Sequence, residues 1–337
     1  MSKRAGESTI FLENNVMISS FAASGGKNEA KGPFGDCYDY RDADDLFGQS
    51  CFEDAESAMQ SLTLKIALEK RGIEASGLSF ILGGDLLNQC IGTTFALADF
   101  KAPFIGLYGA CSTISEGLML ASLLVDSGAG DRAAAITSSH YCTAERQYRF
   151  PLNYGGQRTP TSQWTATASG ALILERGKTP PFVRAVAVGR ICDKGIIDAN
   201  NMGAAMAPAA HWVIKTFLSD AKMSPQDFDL IVTGDLGRVG SKILCELFLR
   251  DGIDILDRHF DCGASLYGEE QDSHSGASGC GCAAGLLCGH FLPRLKSGEL
   301  KNILFAATGA LLSPTSSQQG KSIPGISHLC WLSSEAG

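Results

Sequence analysis

The chain has 337 residues, a formal net charge of −8, 45% apolar residues and 19% charged residues. That apolar content supports a large core and argues against disorder. The acidic balance argues against nucleic-acid binding, and no apolar run approaches the 18 residues of a membrane-spanning helix.

Residues 1–20 carry Lys3 and Arg4, but Glu7 and Glu13 interrupt the apolar stretch. This is a poor signal peptide, so the expectation is a chain made and kept in the cytoplasm. The polar, Gly-containing run Ser24 to Asp45 predicts a loop. Apolar residues at helical spacing predict a helix over Glu53 to Lys70, followed by a buried strand from Leu78 to Leu82. Phe104 to Tyr108 predicts a short strand, Cys111 to Asp126 an apolar helix, and Arg132 to Ser138 another buried strand. Thr165 to Leu174 predicts a strand interrupted at Gly170.

The second half repeats this order. Ala204 to Met223 predicts a helix and Phe228 to Val232 a strand. The strand ending Gly83-Gly84-Asp85-Leu86 is matched 150 residues later by Thr233-Gly234-Asp235-Leu236. Gly109-Ala110-Cys111-Ser112 is echoed 167 residues later by Gly276-Ala277-Ser278-Gly279, each before an apolar helix and a strand. An internal duplication with an insertion in the second half explains both offsets. Residues 1–178 and 179–337 are the expected halves. Helices alternating with continuous apolar strands predict parallel sheets covered on both faces. A site between the halves would draw on both Gly-Ala turns.

Cys111 stands apart from the other eleven cysteines, which read as buried reduced thiols. It follows a strand and a tight turn and opens a helix, the arrangement of a nucleophile elbow. Neither a phosphate loop, a dinucleotide fingerprint nor a zinc spacing is present, so neither a cofactor nor a metal is expected. Arg146, Arg149 and Arg158 lie within 13 residues, with His140 close by and Tyr141, Tyr148, Phe150, Tyr154 and Trp164 interleaved. This reads either as a solvated loop or as an anion-binding wall, since Arg forks suit carboxylates and aromatic faces suit a flat ring.

Gly109-Ala110-Cys111-Ser112-Thr113 resembles the nucleophile turn of thiolases and ketoacyl synthases. His274-Ser275-Gly276-Ala277-Ser278-Gly279 resembles the His-containing turn of thiolases, with His one residue closer to the Gly. The resemblance implies a thiolase-like five-layer αβαβα sandwich built from two duplicated halves. Within that superfamily, Ser138 to Pro151 and Gly155 to Pro160 resemble the stage V sporulation protein AD family of spore-forming bacteria.

That family resemblance implies binding of dipicolinic acid, free or as its calcium chelate, and its uptake into the developing spore with membrane-embedded SpoVA partners. It also implies a peripheral place at the spore inner membrane and a homodimer, for which the Arg132 to Ser138 strand is the candidate contact. The ligand-binding candidates are Cys111, His140, Arg146, Arg149, Arg158, Trp164 and His274. The chain departs from a condensing enzyme in two places. Ala307-Thr308-Gly309-Ala310 lacks the second thiolase Cys, and Asp235 stands where ketoacyl synthases carry His or Asn. The expectation is a degraded catalytic set of Cys111, His274 and Asp235. The alternative is an acyl-transfer enzyme using Cys111 and His274.

Overall fold

The computed structural model describes residues 3–148 and 158–336. In the first half, strand β1 (Thr9–Gly25) leads through a long loop to helix α1 (Phe52–Arg71) and strand β2 (Phe80–Gly84). Helix α2 (Ile91–Leu97), strand β3 (Phe104–Gly106) and helix α3 (Thr113–Ser127) follow. Strand β4 (Arg132–Ser139), helix α4 (Tyr141–Tyr148), the two-residue strand β5 (Trp164–Thr165) and strand β6 (Ala168–Arg176) complete it. The second half runs β7 (Phe182–Ala187), α5 (Met202–Ala221), β8 (Leu230–Thr233), α6 (Gly237–Arg250) and β9 (His259–Asp261). It ends with β10 (Ala277–Ser278), α7 (Cys280–Leu286), β11 (Asn302–Ala310) and β12 (Gly325–Ser333).

The first half orders its strands β3-β2-β4-β6-β1 and the second β9-β8-β11-β12-β7, the same order in each. The halves meet where β1 and β7, the first strand of each, pair antiparallel. Most of the difference between the two repeat offsets, 150 and 167, lies between β9 and the Gly276 turn, in residues 262–275.

The sheets are mixed, not parallel as the alternation predicts. β2 runs parallel to β3 and β4, but β6 is antiparallel to β4 and β1. β12 is likewise antiparallel to β11 and β7. The last strand of each half runs back alongside the strand before it, so that pairing is antiparallel.

Three apolar clusters fill the spaces between five layers. One joins α1 to the outer face of the first sheet through Leu64, Leu68, Ile81 and Ile173. Another joins α5 and α6 to the second sheet through Phe217, Phe248, Leu304 and Leu329. The largest surrounds α3 and α7, which lie between the sheets. A helix apolar on all sides belongs in such a middle layer, and every residue of α7 is buried. Its Cys-Gly-Cys-Ala-Ala-Gly-Leu sequence lets backbones close up: a Cβ on Gly281 would lie 2.1 Å from the Ala168 carbonyl oxygen.

The strand suggested as a dimer contact, β4, lies between β2 and β6. Both its edges are hydrogen-bonded, so it has no ladder left to offer a second copy. The open edge of the first sheet is β3.

Candidate functional site

The turn before α3 places Cys111 deep between the halves. Ala110 holds a left-handed φ of 49°, a strained conformation for a residue with a Cβ. Side-chain bonds hold it there. Ser112 Oγ donates to the Gly109 carbonyl at 2.7 Å and Thr113 Oγ1 to the Ala110 carbonyl at 2.7 Å. Cys111 is 6% exposed and lines a narrow cavity of about 60 Å³. The first half contributes Leu86, Tyr108, Glu145, Tyr148 and Thr165, and the second Met202, Ser278, Gly279 and Leu312. Tyr108 and Tyr148 share a 2.9 Å hydroxyl–hydroxyl hydrogen bond, and Tyr148 also donates to the Leu86 carbonyl.

The thiol's partner is Asp235, which comes from the other half of the chain. The Asp235 carboxyl lies beside the Cys111 thiol. Asp235 accepts the Gly279 N–H at 2.8 Å and the Thr308 hydroxyl at 2.9 Å. Burial, opposed by these bonds, pushes the Asp235 carboxyl up to about 7. Burial and the neighbouring Asp235 hold the Cys111 thiol well above its ordinary range. The helix N-terminus does not offset these effects, so Cys111 is a neutral thiol at neutral pH.

The Asp235 turn is itself braced. Asp261 accepts the N–H groups of Leu236 at 3.0 Å, Gly237 at 2.9 Å and Ala264 at 2.8 Å. Buried Gln163 donates to the carbonyls of Asp235 at 2.8 Å and Ala277 at 2.7 Å, tying that turn to β10.

The remaining sequence candidates lie elsewhere. The His274 ring lies 3.8 Å from the Asp272 carboxylate and is not among the residues lining the Cys111 cavity. His140 is buried: its Nδ1 accepts the Cys142 N–H and its Nε2 bonds the Asp45 carbonyl at 2.8 Å. Burial lowers its pKa, so it is neutral. Arg146 is exposed and pairs with Glu53 at 2.8 Å. Arg158 donates to the Asp272 carbonyl at 2.8 Å, and its guanidinium sits 4.5 Å from the centre of the Trp164 ring. Trp164 points away from Cys111, because neighbouring residues of a strand face opposite sides and its neighbour Thr165 lines the cavity. Arg149, Phe150 and Tyr154 lie outside the described residues. Among the described residues, the cavity lining includes neither Lys, Arg nor His.

Sequence reasoning missed Thr308, Gln163 and Asp261. Only Thr308 carried a signal, since it stands in the turn where thiolases place their second Cys.

Residues 6–333 match the stage V sporulation protein AD family. The stage V sporulation protein AD of Bacillus subtilis (strain 168) is 39% identical over 326 residues, covering 97% of this chain and 96% of that protein. Among solved structures, 3-oxoacyl-[acyl-carrier-protein] synthase III from Aquifex aeolicus VF5 superposes with a TM-score of 0.60 at 15% identity. It covers 94% of this chain and 99% of its own. Xanthomonas campestris OleA with cerulenin bound gives 0.61 at 12% identity, covering 96% and 97%. These likenesses establish the thiolase-like fold.

Proposed function

The chain belongs to the stage V sporulation protein AD family, a family of sporulation proteins, and from that premise we propose that it binds dipicolinic acid in the Cys111 cavity. In this reading it hands the diacid to membrane-embedded SpoVA partners for uptake into the spore, from a peripheral place on the spore inner membrane. No helix among the described residues is long and apolar enough to cross a membrane, so those partners would supply the membrane passage.

The observation that carries the reading is the pairing of Cys111 with Asp235. Acyl transfer needs a thiolate and a base that takes its proton. Here burial and the neighbouring Asp235 keep the thiol protonated, and the His274 ring lies beside Asp272. That arrangement suits holding a ligand without bonding to it.

The cavity's charge bears on the form of the ligand. Glu145 lines it and Asp235 lies behind Cys111, while its described lining has no cation. A bare dianion would be poorly compensated there. The neutral one-to-one calcium chelate removes that cost, with calcium arriving as cargo. The free volume holds only a few waters, so entry requires Tyr108 and Tyr148 to part.

Calorimetric titration with dipicolinic acid, with and without equimolar calcium, tests this. Saturable one-to-one binding is expected, tightened about tenfold or more by calcium. Absence of binding in both conditions would remove the reading.

We propose further that the chain forms a homodimer through β3. That edge strand exposes Phe104 (40%) and Ile105, and Phe95 (68%) and Ile91 of α2 stand exposed in the same half. An unpaired apolar edge is a template for a second sheet. Ile105→Lys is expected to yield a monomer by light scattering at micromolar concentration. A parent chain that is already monomeric would refute the contact.

A further inference from the structure

On the far side of the β5–β10 ladder lies a second cavity, of about 400 Å³, whose lining includes Lys31, Trp164, Tyr267, Glu270 and Ser273. That size is within the range of small-molecule sites. One wall is the segment 262–275 that follows β9. Asp272 and His274 both hold left-handed φ values, 50° and 52°, and such strain gathers at functional positions. Ser273, between them, is 3% exposed, and its hydroxyl has no hydrogen-bond partner among the described residues. Buried hydroxyls are almost always paired, so this one calls for a partner from outside the chain.

The aromatic wall is preorganised. Tyr141 stacks on Trp164 with ring centroids 4.5 Å apart, and the Arg158 guanidinium also sits 4.5 Å from the centre of that ring. At the rim, Lys31 and Glu270 are exposed and form no ion pair among the described residues. The cavity thus offers an ammonium and a hydroxyl for an anionic group, a carboxylate for a cationic one, and the edges of Trp164 and Tyr267 for the rest.

We propose that this cavity binds a small zwitterion of the free amino-acid type. Its carboxylate would lie against Lys31 and Ser273, its ammonium against Glu270 and its side chain against Trp164 and Tyr267. A dianion is disfavoured by Glu270, which separates this site from the one at Cys111. The inference stands apart from the dipicolinic acid reading.

The test titrates the full chain with glycine, L-alanine and L-phenylalanine, followed by calorimetry and by tryptophan fluorescence. Acetate and ethylammonium serve as the two charged halves. At least one amino acid is expected to saturate with a Kd below about 10 mM, each half binding about tenfold weaker or worse. Ser273→Ala should weaken binding about threefold or more and Lys31→Glu about tenfold. The proposal is overturned if all three amino acids fail to bind, if acetate alone binds as tightly, or if both Ser273→Ala and Lys31→Glu bind like the parent.

Discussion

Replacing Cys111 with tryptophan is expected to abolish dipicolinic acid binding, while serine leaves affinity within about threefold. The two variants separate a thiol that reacts from a thiol that merely lines the site. Serine keeps a donor for the Asp235 carboxyl and leaves the cavity open. The tryptophan ring would fill the space beside Cys111 and must occupy the ligand's place. The loss should reach about a hundredfold or more, read by the same calorimetric titration. Because an overpacked core can fail to fold, Met202→Trp provides a second block from the cavity wall, at the start of α5. Loss of binding with serine would show that the thiol itself acts on the ligand. Unchanged binding in both tryptophan variants would place the ligand elsewhere.

Removal of the Asp235 carboxyl is expected to cost stability, and to cost more in mild acid than in mild base. Asp235→Ala strips partners from the Gly279 N–H and the Thr308 hydroxyl, both buried. Two such orphans cost about 2–4 kcal/mol. The pH dependence follows from the carboxyl's rise to about 7 when folded. Its folded pKa is above its unfolded value, so the native state binds the proton more tightly. That contribution is fully present below the unfolded value and is lost as pH rises through about 7. Between roughly pH 5.5 and pH 8.5 the parent loses about 2 kcal/mol through this group, and the alanine variant does not. Urea midpoints at the two pH values should therefore show a penalty that shrinks on the basic side. A penalty equal at both would mean that Asp235 stays ionised in the folded protein. Glu56, pushed up to about 8 by burial and by Asp85, adds its own downward slope to parent and variant alike, so the difference between them isolates Asp235.

Local chemistry made much of this chain readable as a sequence. The helix over Phe52–Arg71 and the strand over Arg132–Ser139 follow from apolar periodicity, which depends on near neighbours alone. The duplication was visible because Gly, Asp and Ala punctuate turns in the same order twice, and the structure gives both halves one strand order. The Cys111 turn was legible because a nucleophile elbow is a local geometry. Tertiary structure alone decided what the repeated turns do. Asp85 and Asp235 end equivalent strands, yet Asp85 accepts the N–H groups of Leu87 and Thr93 nearby, while Asp235 reaches Gly279, Thr308 and Cys111 across the fold. Arg146 and Arg158, 12 positions apart in the sequence, were sent to Glu53 and to Asp272. Trp164 and Thr165 were divided between two cavities by the alternation of one short strand. Such pairings depend on which distant backbones pack together, and no spacing along the chain encodes that: a buried carboxyl takes whatever donors the opposite layer brings to it.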